Sequence, residues 1–457
     1  MRTAMPRGFA RQQETAVATP VFCVLWAAAH LGHVLRNVEP SNPLVWLVAA
    51  ASILLLVRPS DERALAPLAI AYLAYTFSVL PAPDNHTLIA AVAHAGLLGG
   101  SVSSRWRTGA VQTTAPFLRW VALIPYAAAT LAKFNSGFFS EHSCAVELCN
   151  ASLGSPALPG WIVIALPWLV AAAELAVVVL LLVPRTRVVG VAWATVLHLV
   201  MAISPTARAG LGFTLLLYAL LLFFLPDEGV KRIHHRLRSV VLRIRAERSD
   251  VRRLMLVSVL AVMALVLGGH LPLPDTPVTQ RTWWLVAPIT AGVAALLLDA
   301  CWHVRRTSAA HLSFRVRSSV ALVLLGLLTL NAAAPYLGGR SVATFTMYSN
   351  LQTARGHDNH WLVPRAPWAG GQDDLVAIEE SSSPYLTGLA NRDGRISYHE
   401  LRRRLASHPD DSVTYVRDGR RVEVTRAGDH EELSSTHPVW HRLIAHAPVY
   451  PESTCRW

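Results

Sequence analysis

Tyr126–Cys149 reads YAAATLAKFNSGFFSEHSCAVELC. An apolar run that begins near Pro116 ends in Lys133, Phe134 and Asn135, then gives way to a loop without another lysine or arginine. Lys133 is one of only two lysines, the other being Lys231, in a chain with 41 Lys+Arg. Arginine keeps its proton at any useful pH, whereas a desolvated lysine can lose it. An amine at the end of an apolar segment, in a chain that elsewhere uses arginine, is therefore the first candidate for chemistry.

Composition points the same way. The 457 residues are 53% hydrophobic and 15% charged, against roughly a quarter charged in soluble domains, which predicts a membrane protein with some polar mass attached. The net charge of +12 sits in short loops between apolar runs, where it is a topology signal and not a nucleic-acid surface. Five cysteines are too few for a disulfide scaffold. Met1–Glu14 is basic, and the apolar run after it lacks a small-residue cleavage site, so the first segment reads as an uncleaved anchor.

Apolar stretches of about spanning length fall near 18–35, 43–57, 64–80, 87–103, 116–134, 161–183, 188–204, 210–225, 252–270, 282–302 and 318–337. Alternate loops carry Arg58 with Arg63, Arg105 with Arg107, Arg185 with Arg187, the basic Lys231–Arg253 stretch and Arg305–Arg317. The intervening loops are poor in basic residues. The positive-inside rule then puts the N-terminus in the cytoplasm of a plasma (cytoplasmic) membrane and the tail outside it. The expected fold is an all-α polytopic membrane bundle of about eleven transmembrane helices. A small α+β extracytoplasmic domain follows, divided from the bundle at 337/338. In that tail Asp418-Gly419 joins Val413–Arg417 to Arg420–Thr425 as a type I′ hairpin, and Ser397–Leu405 and Trp440–Ala445 read as short helices.

Ionisable residues inside apolar spans are costly and so are functional candidates. They are His30, His33, His94, Lys133, Glu174 and His198, with Asn85 and His86 where the fourth span begins. The topology places Asn85, His86, Lys133 and His198 at one outward depth. Each has a plainer reading. Lys133 can snorkel its ammonium to the interface, and Asp84-Asn85-His86 can be a helix start. His30, His94 and His198 can be interhelical hydrogen-bonders. Glu174, mid-span, suits a histidine or arginine partner.

Several motifs in order bring a family into view. Asp84-Asn85-His86-Thr87-Leu88 resembles the Asn-His element of the vitamin K-dependent gamma-carboxylase and its bacterial relatives, the HTTM-domain proteins. Ala132–Phe139 (AKFNSGFF) is similar to their Lys-Leu-Asn/Asp motif, and Leu197-His198-Leu199 to their later membrane histidine. Phe345–Leu351 (FTMYSNL) and Asn359–Pro364 (NHWLVP) resemble a segment that follows the last span in bacterial members.

The resemblance implies that Lys133 is the base that deprotonates a reduced vitamin K or menaquinone-type hydroquinone. O2 converts the hydroquinone to its epoxide, and the strong base so formed removes a γ-proton from a glutamate, to which CO2 adds. By the same resemblance Asn85 and His86 orient the reacting oxygen and His198 shapes the pocket. Tyr126, Asn135, His94 and Glu174 are the candidates for holding the quinone. The implied partners are the lipid bilayer and a secreted peptide or protein substrate on the extracytoplasmic side. The tail is far smaller than the lumenal region of the animal enzyme, so the acceptor stays open. The alternatives are a membrane transporter and a non-catalytic partner in peptide maturation or export.

Cys144 and Cys149 are expected on an oxidising side, where a local disulfide needs Cα atoms within about 7 Å; Cys455 is an alternative partner for either. No metal site is expected. Asn391–Ile396 with Glu400 lacks the first acid of a calcium loop, which favours a turn capping the Ser397 helix. His357-Asp358-Asn359-His360 has only two histidines and reads as a polar loop.

Overall fold

The computed structural model describes residues 7–36, 42–103, 109–153, 158–203, 211–246, 278–307, 312–366, 368, 371–435, 439–451 and 455. These are mostly helical, with one small sheet. In chain order come α1 (Arg7–Arg36), α2 (Pro43–Val57), α3 (Leu65–Ser78), α4 (Asn85–Ser103), α5 (Ala110–Ala132), α6 (Cys144–Leu153), α7 (Gly160–Leu182), α8 (Arg187–Ile203), α9 (Leu211–Leu221) and α10 (Asp227–Ala246). The helices Val278–His303 and Ser319–Ala333 follow. By their contacts the residues divide into two compact units.

The first unit holds Met1–Tyr75, Ile89–Leu123 and Ala176–Leu325. Helix starts here follow local chemistry: Asn42 caps α2 by accepting from the Leu44 N–H at 3.1 Å, with Pro43 in the first turn where its missing N–H costs nothing. Trp26, Phe22, Tyr72, Phe117 and Tyr218 fill the core. Close approaches require glycine, at Gly212 and Gly96 among others. A Cβ on Gly212 would lie 2.9 Å from the His33 backbone nitrogen, and one on Gly96 would lie 2.1 Å from the Phe117 ring.

The expectation of about eleven membrane-spanning helices is corrected. Among the described residues two helices, α5 and α7, each of 23 residues, are long and apolar enough to cross a membrane. The other apolar helices have 10–17 described residues, and 15 residues rise only about 22 Å against a hydrocarbon core of about 30 Å. In two of the expected spans the backbone departs from α-helical geometry before the apolar run ends. The run at 210–225 leaves α-helical geometry at the 3-10 turn Leu222–Phe224, ahead of Pro226. The run at 64–80 begins as the 3-10 turn Glu62–Ala64 and its helix ends at Ser78. The stretch expected at 252–270 lies outside the described residues.

The second unit holds Thr76–Leu88, Ile124–Leu175 and Gly326–Trp457. Its sheet is antiparallel in the order β2-β1-β3-β4, with β1 Leu375–Ser381, β2 Arg395–Ser397, β3 Val413–Arg417 and β4 Arg420–Val424. Asp418 and Gly419, at φ 51° and 75°, make the expected two-residue hairpin turn. Ser397 caps the helix Tyr398–Ser407 through the Glu400 N–H, and Leu401 and Leu405 pack on Val376, Ile396 and Tyr415. Glu400 is buried against Arg403 and Arg404, so its carboxylate is spent inside the domain.

Candidate functional site

The end of α5 builds the site. The Lys133 N–H bonds the Thr130 carbonyl and the Phe134 N–H that of Leu131, tightening the last turn before the chain leaves the helix. Lys133 is only 1% exposed. Its Nζ lies 2.8 Å from Glu174 Oε2 on α7, 3.4 Å from the Met347 carbonyl and 3.5 Å from that of Ala129. The Phe138 ring is 5.6 Å away and packs on Ala171, one turn before Glu174. An ammonium set among apolar groups needs a counter-charge. Glu174, the sole charged residue of α7, supplies it.

Asn135 is a different kind of polar residue. It is fully buried, its amide nitrogen donating to the carbonyls of Ala132 and Ser349 and its oxygen accepting from the Phe138 N–H and the Asn359 amide. All four hydrogen-bonding positions of the side chain are filled by protein, so Asn135 ties the loop instead of offering itself to a ligand.

The opposite wall is the segment 343–363. Ala343, Phe345, Tyr348 and Asn350 all have positive φ, between 52° and 61°. Left-handed non-glycine residues cost on the order of 1 kcal/mol each and persist where surrounding contacts over-determine them. Those contacts are present. Asn85 Oδ1 accepts from the Phe345 N–H at 2.7 Å, and Asn350 accepts from the Cys144 N–H and donates to the His142 carbonyl. Asn359 donates to the Asn350 carbonyl and accepts from the Gln352 N–H. His360 donates from Nε2 to the Leu131 carbonyl at 2.8 Å and accepts at Nδ1 from the N–H groups of Leu362 and Val363. With both ring nitrogens engaged, this imidazole is held neutral, and burial also lowers its pKa. The His357–His360 loop thus clamps the end of α5, through His360 on Leu131 and Asn359 on Asn135.

Asn85 and Lys133 therefore meet the same loop, two residues apart, and His86 lies buried beside Asp84 at 3.6 Å. Tyr126, also buried, shares the Lys133 face of α5 at a spacing of seven residues. His94 and His198 belong to the first unit. There His94 bonds His30, and His198 stands edge-on to Phe213 at 5.5 Å between ring centres.

The expected Cys144–Cys149 disulfide is corrected: the bond joins Cys144 to Cys455, with Cα atoms 4.7 Å apart, and Cys149 is free. Cys144 and Cys149 lie on one helix, where five residues rise about 7.5 Å and turn the side chains to different faces, too far for a bridge. Sequence reasoning passed over Thr130 and Tyr336. Thr130 Oγ1 and the Tyr336 hydroxyl are buried without a hydrogen-bond partner, and Tyr336 packs against Ala132 and Leu351. The helical spacing of Thr130 from Lys133 was a usable signal; nothing local marked Tyr336. None of the family models, curated proteins or solved structures compared with this chain matches it.

Proposed function

We propose that the chain is an integral-membrane enzyme that takes a proton from a reduced quinone at Lys133. Oxidation of the quinol would be coupled to modification of a peptide, in the manner of the vitamin K-dependent gamma-carboxylase. The observation that carries the reading is the convergence on one strained loop. Asn85, Lys133 and Asn135 bond Phe345, Met347 and Ser349, alternate residues of a single turn.

The residues present fit a hydroquinone. Its two hydroxyl groups need polar partners, and Thr130 Oγ1, three residues before Lys133 in the chain, and the Tyr336 hydroxyl are buried without one. Its ring needs apolar neighbours, and Phe138, near the amine, and Ala132, Leu351 and Val363, around Tyr336, are apolar residues of this unit. A bound hydroquinone would bring the reducing electrons that O2 consumes, with CO2 as the second co-substrate where the acceptor is carboxylated. The protein's part is to hold a proton acceptor at Lys133 Nζ, keep bulk water out by burying it, and fix the loop through Asn85 and Asn135.

A bilayer setting is supported by the surface. Along α7 the exposed residues include Trp161, Ile164, Trp168, Leu169, Leu175 and Val179, and Trp361 and Trp368 are exposed as well. Tryptophan with aliphatic residues on open faces suits a lipid boundary. Phe139, Trp168 and Trp361 stack there with ring centres 4.1 and 4.8 Å apart. The Cys144–Cys455 bond supports an oxidising compartment for this unit.

The test is direct. Purified full-length protein given a menaquinone-type hydroquinone and O2 should yield the epoxide, and Lys133→Arg should not. Wild-type protein that leaves the hydroquinone unconsumed, or a Lys133→Arg variant as active as wild type, sinks the reading.

A further inference from the structure

We propose that Glu174 is the proton acceptor for Lys133: it takes a proton from the ammonium, frees the amine's lone pair, and later passes that proton on to solvent. This rests on the reading of Lys133 as the base.

The geometry leaves one candidate. Lys133 Nζ has three neighbours, the Glu174 carboxylate at 2.8 Å and the carbonyls of Met347 and Ala129 at 3.4 and 3.5 Å. Carbonyl oxygens accept hydrogen bonds but do not take up a proton under these conditions, and a carboxylate does. Among the described residues no other acidic or imidazole group is paired with Lys133. The Phe138 ring lies 5.6 Å from the amine and packs in a cluster with Ala171.

Transfer inside the pair leaves its net charge unchanged. Ammonium with carboxylate becomes amine with carboxylic acid, and no net charge is created in a low-dielectric site. The amine then accepts the substrate's hydroxyl proton and is again an ammonium. The substrate leaves as its conjugate base, and the protonated Glu174 gives up the first proton. Of the pair, the Glu174 side chain is the more exposed, 14% against 2% for Lys133. Glu174 thus acts through Lys133 and not on the substrate, a positioning and relay role that a purely structural ion pair would not fill.

The closing experiment uses purified full-length wild type, Glu174→Gln and Glu174→Asp. Glutamine keeps an oxygen beside Nζ but cannot hold the proton. We expect Glu174→Gln to consume about one equivalent of hydroquinone rapidly, then turn over at least tenfold more slowly. Added acetate should restore the steady rate, and Glu174→Asp should keep part of it. Steady turnover equal to wild type, or a loss that acetate does not restore, overturns the relay.

A second measurement does not need activity. Competitive acetylation across pH, read on the peptides carrying Lys133 and Lys231, uses the only other lysine as an internal reference. Lys133 should become reactive at lower pH in Glu174→Gln than in wild type, with Lys231 unchanged. Identical Lys133 profiles overturn the inference even where wild type oxidises the quinol. A shifted profile in a protein that oxidises no quinol keeps the proton pair and removes only the proposed function.

Discussion

Two buried polar pairs in apolar helices, one in each unit, are built in opposite ways. In the first unit His94 Nε2 lies 2.8 Å from His30 Nε2, and His30 Nδ1 lies 2.6 Å from the Trp26 carbonyl. The network assigns His30 Nδ1–H to the carbonyl and His94 Nε2–H to His30, two neutral rings sealed among Trp26 and Tyr72. In the second unit Lys133 and Glu174 face each other as ions at the edge of an irregular loop. The histidine pair is packed among aromatic rings, with His94 Nδ1 left without a hydrogen-bond partner. The ion pair instead borders a loop of left-handed residues, where the proposed proton transfer would take place.

The largest expected effect breaks that contrast at Lys133. Lys133→Arg keeps the charge and the pairing with Glu174 but cannot act as a base, and should lower quinol turnover by about 10²–10⁴-fold. Circular dichroism should stay that of wild type. If His94→Leu costs as much activity as Lys133→Arg, the two pairs are not different in kind.

Next in size is the disulfide. Cys455→Ser should destabilise the second unit by roughly 2–4 kcal/mol and leave the first unit's exchange protection unchanged, as hydrogen exchange with mass spectrometry would show. In the intact protein Cys149 should alkylate without reduction, while Cys144 and Cys455 should not.

Acid sharpens the contrast further. His446 in the tail is buried, with Nδ1 2.8 Å from Ser397 Oγ and Nε2 3.3 Å from the Gly339 carbonyl, and burial lowers its pKa to about 4. His399, Glu400, Arg340 and the edge-on His441 ring complete its charged and titratable surroundings, directly or through His399. The unfolded chain binds this proton near pH 6.5 and the folded chain near 4, so the unfolded state holds more protons between those values. Stability from this group is therefore complete above pH 6.5 and is lost as pH falls toward 4, on the order of 3 kcal/mol in total. His446→Gln should flatten that slope in a thermal-denaturation series. The smallest expected effect is that of His94→Leu, about 1–3 kcal/mol of stability with turnover within about twofold of wild type.

Some of this was legible along the chain because its physics is local. Asp418-Gly419 marks a turn that needs positive φ at both residues, and Ser397 marks a helix start because its hydroxyl reaches a nearby N–H. Lys133 stood out as a rare amine in an arginine-rich chain, and Glu174 as an acid in the middle of an apolar run. Their pairing was not legible, because two helices 41 residues apart in sequence bring them together. Nor was the helix count, because apolar composition says which residues avoid water without saying where the backbone turns. His198 matched a motif, but sequence order did not say that it packs edge-on to Phe213.

By itself the amino-acid order determined an apolar, helix-rich chain with a hairpin in its tail and a short roster of ionisable residues worth watching. Burial of hydrocarbon and the dihedral needs of single residues act at short range, so neighbours in the chain suffice to read them. Folding alone decided that Cys144 takes Cys455 across a separation of 311 residues, that Asn135 is consumed as a knot, and that the amine faces a carboxylate. Those outcomes depend on which distant segments share a core, a choice made by packing and by the cost of leaving buried polar groups without partners.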